Sequence, residues 1–167
     1  MLGAVVELAD GQGLLFTGRL SLARQPWLAD HTVLGARVVP GAALLELAVR
    51  AGDEVGCRQV EELTLQAPMV LPETAALRVQ VTVGAADALG NRSISIDSRP
   101  ETAGDWVRHA TGVLAEAPME TDQFDATTWP PVGAEPVDVS GLYANSEALG
   151  LEYGPAFQGL RAAWRVT

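Results

Sequence analysis

The chain has 167 residues, 48% of them hydrophobic and 19% charged, a globular mixture with enough length for one ordinary domain and a true core. Its formal charge of −10, with arginine as the sole cation type, argues against a nucleic-acid surface, and recognition of an acidic partner would need a local arginine cluster that linear sequence does not locate. One cysteine (Cys57) and two histidines (His31, His109) exclude a disulfide framework and a Cys- or His-rich metal centre, so no metal is expected.

The N-terminus lacks a signal-peptide pattern, and no apolar run reaches the roughly 18 residues of a membrane span. The expectation is a cytoplasmic protein that engages neither membrane nor nucleic acid.

After the turn Asp10-Gly-Gln-Gly13, residues 14–20 read as a short strand, followed by a loop through Asp30. Residues 41–51 predict a helix with Glu46 and Arg50 on a single polar edge, so apolar elsewhere that other structure must wrap it. Strands follow at 60–67, at 77–83 with clean alternation of Leu77, Val79, Val81 and Val83, around Ile94 and Ile96, and at 106–114. One apolar helix with about five hairpin-linked strands predicts an α+β unit, a curved antiparallel sheet around a central helix.

Residues 116–137 hold four prolines without periodicity and read as a linker. Asp138 then caps an expected second helix carrying Val139, Leu142, Tyr143 and Leu149, stopped by Gly150, with a further strand beginning at Arg161. The expected organisation is a first unit at 1–115, a linker at 116–137 and the beginning of a second unit at 138–167.

The chemistry concentrates between His31 and Arg50. A histidine exchanges protons near neutral pH, and Pro40 suits the first position of a helix whose free N–H groups can polarise a carbonyl. His31, Gly35 and Pro40 complete the pattern His-x-x-x-Gly-x-x-x-x-Pro, and Gly150-Leu-Glu-Tyr153-Gly154-Pro155-Ala-Phe157-Gln158 forms a second motif in order. Together they resemble the dehydratase domain of modular type I polyketide synthases, over essentially the whole chain.

That resemblance implies the first half of a double hot-dog fold plus the start of the second. It implies elimination of water from a β-hydroxyacyl thioester to give an α,β-unsaturated thioester. The substrate would ride the phosphopantetheine arm of an acyl carrier protein, with no cofactor bound directly. His31 would be the base and the Gly41 N–H the oxyanion donor, with Gly35 and Pro40 shaping the turn that aims both. Tyr153 would be an accessory hydrogen-bonding position on a loop held by Gly154 and Pro155. Implied partners are the carrier protein, neighbouring synthase domains, the second half of the domain, and a second copy in a homodimer.

The family's acid is an Asp in Asp-x-x-x-Gln or Asp-x-x-x-His on the second helix. The one literal match, Asp105-Trp-Val-Arg-His109, precedes the linker in strand-like sequence and is read as a decoy. The acid is therefore expected beyond Thr167, and this chain alone is expected to be inactive. Alternatives are a related double-bond isomerase, a cyclic-ether-forming domain, or a non-catalytic scaffold. His109 reads as a hydrogen-bonded core histidine, Asp30 as a loop cap, Cys57 as a packing residue, and Trp27 and Trp106 as core or rim anchors.

Overall fold

Alternation with a period of two decides where the main sheet forms. The computed structural model describes residues 1–9, 11–116 and 127–166. Strands β1 (Leu2–Glu7) and β2 (Gly13–Leu20) precede a 3-10 turn at Pro26–Asp30 and the short strands β3 (His31–Val33) and β4 (Ala36–Arg37). Helix α1 (Gly41–Glu54) leads to β5 (Gln59–Leu65), β6 (Leu77–Ala86), β7 (Arg92–Pro100) and β8 (Val107–Ala115). The remaining elements are β9 (Glu135–Val137), α2 (Leu142–Ala148), β10 (Leu151–Tyr153), a 3-10 turn at Pro155–Phe157 and β11 (Ala163–Arg165).

Six strands form one sheet in the order β1-β2-β6-β7-β8-β5, every pairing antiparallel. Val79, Val81, Val83, Ile94 and Ile96 turn one face of it inward against Leu44, Leu47, Ala48 and Ala51 of α1. Each Val, Ile or Leu so enclosed contributes about 1.5–3 kcal/mol of burial, which anchors the helix to the sheet. The sequence does not announce β1, because this edge strand leaves the adjacent Val5 and Val6 both half exposed.

Two expectations for α1 change. Pro40 is the N-cap, with extended ψ of 148°, and Gly41 is the first helical residue. The helix is also covered on one side only. Ala43, Leu44, Leu47, Ala48, Ala51 and Gly52 are buried, whereas Leu45 and Val49, four residues apart on the opposite stripe, are 44% and 41% exposed. A single sheet contacts a helix along one stripe, so apolar composition alone did not imply enclosure.

The second half departs further. Asp138 accepts the Ser140 N–H at 2.9 Å, a local turn that uses up the expected cap, and α2 starts later, at Leu142, with Val139 outside it. The hydrogen bond from Ser140 also holds the Asp138 carboxyl below its usual range. Gly150, at φ 82°, terminates this region as expected.

Within the expected linker, residues 117–126 lie outside the described residues, as does Asp10 of the first turn. Residues 135–137 form β9, which pairs with β11, while Trp129 and Trp164 meet edge to face at 5.8 Å. Strand β10 joins β3 and β4 in a separate three-stranded sheet. No helix among the described residues is long and apolar enough to cross a membrane.

Candidate active site

A tight hairpin places His31. Leu34 and Gly35 take φ values of 49° and 78° between β3 and β4, the two successive positive values of a two-residue reverse turn that glycine favours. The chain therefore returns at once, and Val38 comes to lie beside His31. The Val38 N–H donates to the His31 carbonyl at 3.2 Å, and His31 Nδ1 lies 2.8 Å from the Val38 carbonyl oxygen. A carbonyl only accepts, so Nδ1 carries the proton and Nε2 keeps the free lone pair.

His31 and Gly41 line one cavity of about 320 Å³, together with Val39, Leu44, Leu65 and Met69 among others. The Ala43 and Leu44 N–H groups bond the Pro40 carbonyl, which leaves the N–H groups of Gly41 and Ala42 as the open donors at the start of α1. A Cβ on Gly41 would lie 3.1 Å from Leu65 Cδ1, so a side chain there would crowd the cavity. The His31 ring and the start of α1 thus share one largely apolar recess. None of the lining residues is a carboxylate.

The second motif closes over His31 from the side. Strand β10 pairs with β3 so that Tyr153 stands opposite His31, and the Leu34 N–H donates to the Gly150 carbonyl at 2.7 Å. The Tyr153 ring meets the His31 ring edge to face at 5.6 Å. Its side chain lines a neighbouring cavity of about 400 Å³ with Asp30, Tyr143 and Gln158, rather than the recess holding Gly41. Gly35, Pro40, Gly154 and Pro155 also lie outside the recess wall.

Asp30 ties this motif down. Its carbonyl accepts the Gly154 N–H at 2.7 Å, and its carboxylate accepts the Ala156 N–H at 2.9 Å. Pro155 opens the short turn that carries Phe157 to 5.2 Å from the His31 ring and 6.0 Å from Trp27. Sequence reasoning assigned no role to Val38 or Phe157. Val38 acts through its carbonyl, which has no sequence signal, whereas the aromatic spacing Tyr153-x-x-x-Phe157 was available.

His109 does not line the His31 recess, although it bonds Gln66 and Ala67, which do. It is 4% exposed, its Nδ1–H donates to the Ala67 carbonyl at 3.1 Å, and the Ser98 hydroxyl donates to Nε2 at 2.8 Å. A β-bulge between the pairs Ile96–Ala110 and Asp97–Arg108 explains why two consecutive residues, His109 and Ala110, are both buried. Cys57 is buried in the core cluster, and burial pushes its thiol up. No group of three or more His, Cys, Asp or Glu among the described residues could hold a metal.

Two family models match the chain. The polyketide synthase dehydratase domain matches residues 1–99, and the polyketide synthase dehydratase N-terminal domain matches residues 121–167. Polyketide synthase GfsA of Streptomyces halstedii is 57% identical over 99% of this chain and 2% of its own length. Pikromycin polyketide synthase component PikAII of Streptomyces venezuelae is 56% identical over 99% of this chain and 4% of its own. The dehydratase domain from the terminal module of the rifamycin polyketide synthase aligns with a TM-score of 0.92 and 49% identity, over 99% of this chain and 60% of that one. The erythromycin dehydratase aligns at 0.90 and 41%, over 99% and 62%. The chain therefore spans a few per cent of these curated relatives and about three fifths of these solved domains.

Proposed function

This chain belongs to the polyketide synthase dehydratase domain family, with its hot-dog fold, and from that premise we propose that it supplies the proton-abstracting half of a dehydratase site. The substrate is a β-hydroxyacyl thioester on the phosphopantetheine arm of an acyl carrier protein. The observation that carries this reading is the His31 ring, fixed through Nδ1 to the Val38 carbonyl and sharing a recess with Gly41.

His31 Nε2 takes the proton α to the thioester. The Gly41 N–H receives the thioester oxygen as negative charge develops there, which lowers the cost of that abstraction. The electron pair released from the Cα–H bond forms the Cα=Cβ bond as the Cβ–O bond breaks. The leaving hydroxyl must be protonated to depart as water, and that proton comes from a carboxylic acid. The recess wall among the described residues offers none. On the family's pattern the acid is an Asp of the domain's second helix, placed by this reading outside the 167 residues. Gly35 and Pro40 set the turn and helix entry, while Tyr153, Gly154 and Pro155 hold the substrate-side loop against His31.

The division into a first unit at 1–115, a connecting segment at 116–137 and a second unit opening at 138 belongs to the same proposal. So do the carrier protein, the neighbouring synthase domains and a homodimer as partners. The test is turnover of a β-hydroxyacyl carrier thioester by the dehydratase domain containing this chain, followed by mass spectrometry for loss of one water. His31→Ala should lower it by about 10²–10⁴, and the 167-residue chain alone should show no turnover. Wild-type turnover by His31→Ala would refute the assignment of the base, and turnover by the chain alone would refute the external acid.

A further inference from the structure

On the face of the main sheet opposite α1, three arginines stand directly across from one another. Arg19 on β2 pairs with Arg78 on β6, and Arg78 pairs with Arg99 on β7. Their neighbours Leu20, Val79 and Ser98 are buried on the helix side, which sends the arginines to the other. Like charges directly opposite in a sheet repel and destabilise it, so a row of three calls for a counter-charge. Arg24 joins them in a cavity of about 610 Å³ that shares no residue with the His31 recess. Four of the 11 basic residues of a chain with net charge −10 therefore converge on one concavity.

The protein itself supplies little compensation. Glu101 forms a two-pronged bond with Arg19, at 2.8 Å for each contact, which leaves Arg24, Arg78 and Arg99 without an ion pair among the described residues. Arg99 Nε is buried with no hydrogen-bond partner, and its guanidinium lies 5.0 Å from the centre of the Trp106 ring. The indole holds that fork in place and is itself 39% exposed.

We propose that this arginine cavity, built by Arg24, Arg78 and Arg99 beside Trp106, binds a phosphate group. The cavity lining sets four guanidinium groups against one carboxylate, Glu101, which also faces Arg24 and Arg78. The remaining positive charge suits an anion of nearly two charges, and the planar forks match phosphate oxygens. A single carboxylate would offset one charge only. The concave shape and the volume suit a small molecule rather than a flat protein surface, with Trp106 available to an organic portion. This site is independent of the dehydratase reading.

Calorimetric titration of the protein with inorganic phosphate, glycerol 3-phosphate and succinate tests the proposal, with thermal unfolding measured alongside. Saturable binding of the phosphate probes is expected, with a raised unfolding temperature and at least tenfold weaker binding of succinate. Tighter binding of glycerol 3-phosphate than of inorganic phosphate identifies an ester as the ligand; equal binding identifies the free anion, and either supports the site. Arg24 and Arg78 are exposed, so Arg24→Gln and Arg78→Gln should keep the fold and weaken phosphate binding at least tenfold. Arg50→Gln on α1 should leave binding unchanged. Absence of saturable phosphate binding, succinate binding as tight as phosphate, or binding indifferent to Arg24→Gln and Arg78→Gln overturns the proposal.

Discussion

His31 Nδ1 lies 2.8 Å from the Val38 carbonyl oxygen, a contact between residues seven apart that a two-residue turn brings together. It selects the Nδ1–H tautomer and leaves the Nε2 lone pair free for the proposed proton abstraction. Nitrogen NMR of the neutral protein should show His31 as predominantly Nδ1–H. In the complete domain, loss of this base should cost about 10²–10⁴ in turnover, the usual scale for positioned general bases. A predominantly Nε2–H ring would remove the physical basis for the assignment.

The second motif depends on a close approach that only glycine permits. A Cβ at Gly154 would lie 2.5 Å from Asp30 Cγ, and Asp30 cannot retreat without releasing the Ala156 N–H. Gly154→Ala should therefore destabilise the protein by about 1–3 kcal/mol, the cost of overpacking a well-fitted contact. Hydrogen exchange should show loss of protection concentrated in β10 and its partner β3. Unchanged stability and protection would show that the loop docks without Asp30.

His109 is bonded to Ser98 and Ala67, and the expectation from this is a structural role. His109→Leu leaves the Ser98 hydroxyl and the Ala67 carbonyl without their ring partner, at a cost of about 1–3 kcal/mol in denaturant unfolding. Turnover per folded molecule of the complete domain should remain near wild type. A large drop in that rate at unchanged stability would return Asp105 and His109 to the catalytic candidates.

The two stripes of α1 should respond differently to substitution. Leu44→Ala and Leu47→Ala each remove a side chain that is at most 3% exposed and should cost about 2–5 kcal/mol. Leu45→Gln and Val49→Gln should stay within about 0.5 kcal/mol in this chain, because those side chains are 44% and 41% exposed. Equal losses on both stripes, measured by urea unfolding, would mean that the exposed face is covered in solution.

Cys57 contributes a pH dependence of definite sign. Burial raises the thiol pKa in the folded state, so the folded protein holds the proton more tightly than the unfolded chain does. The associated stability is fully present below the unfolded value of about 8.5 and is lost as pH rises toward the higher folded value. Denaturation midpoints should fall more steeply above about pH 8.5 in the wild type than in Cys57→Ala. Parallel slopes would show that the thiol does not titrate on unfolding.

Much of the fold was legible because period-two alternation survives in any half-buried strand. Leu77 to Val83 announced β6 in this way, and the apolar run after Pro40 announced α1. Strand β1 was not legible, since an edge strand with two exposed valines carries no alternation. The late start of α2 was hidden as well, because the Asp138 carboxylate binds its own local backbone instead of capping a helix.

The sequence by itself determined the two motifs, the order of helix and main strands, and the candidate base, because each depends on residue type at fixed local spacing. Only the tertiary structure decided that Val38 orients His31, that Gly41 shares its recess, and that Phe157 and Tyr153 flank the ring. It also decided that Arg19, Arg78 and Arg99, scattered through the sequence, stand in one row. Strand register sets which distant residues become neighbours, and register is fixed by burying one whole face of the sheet at once.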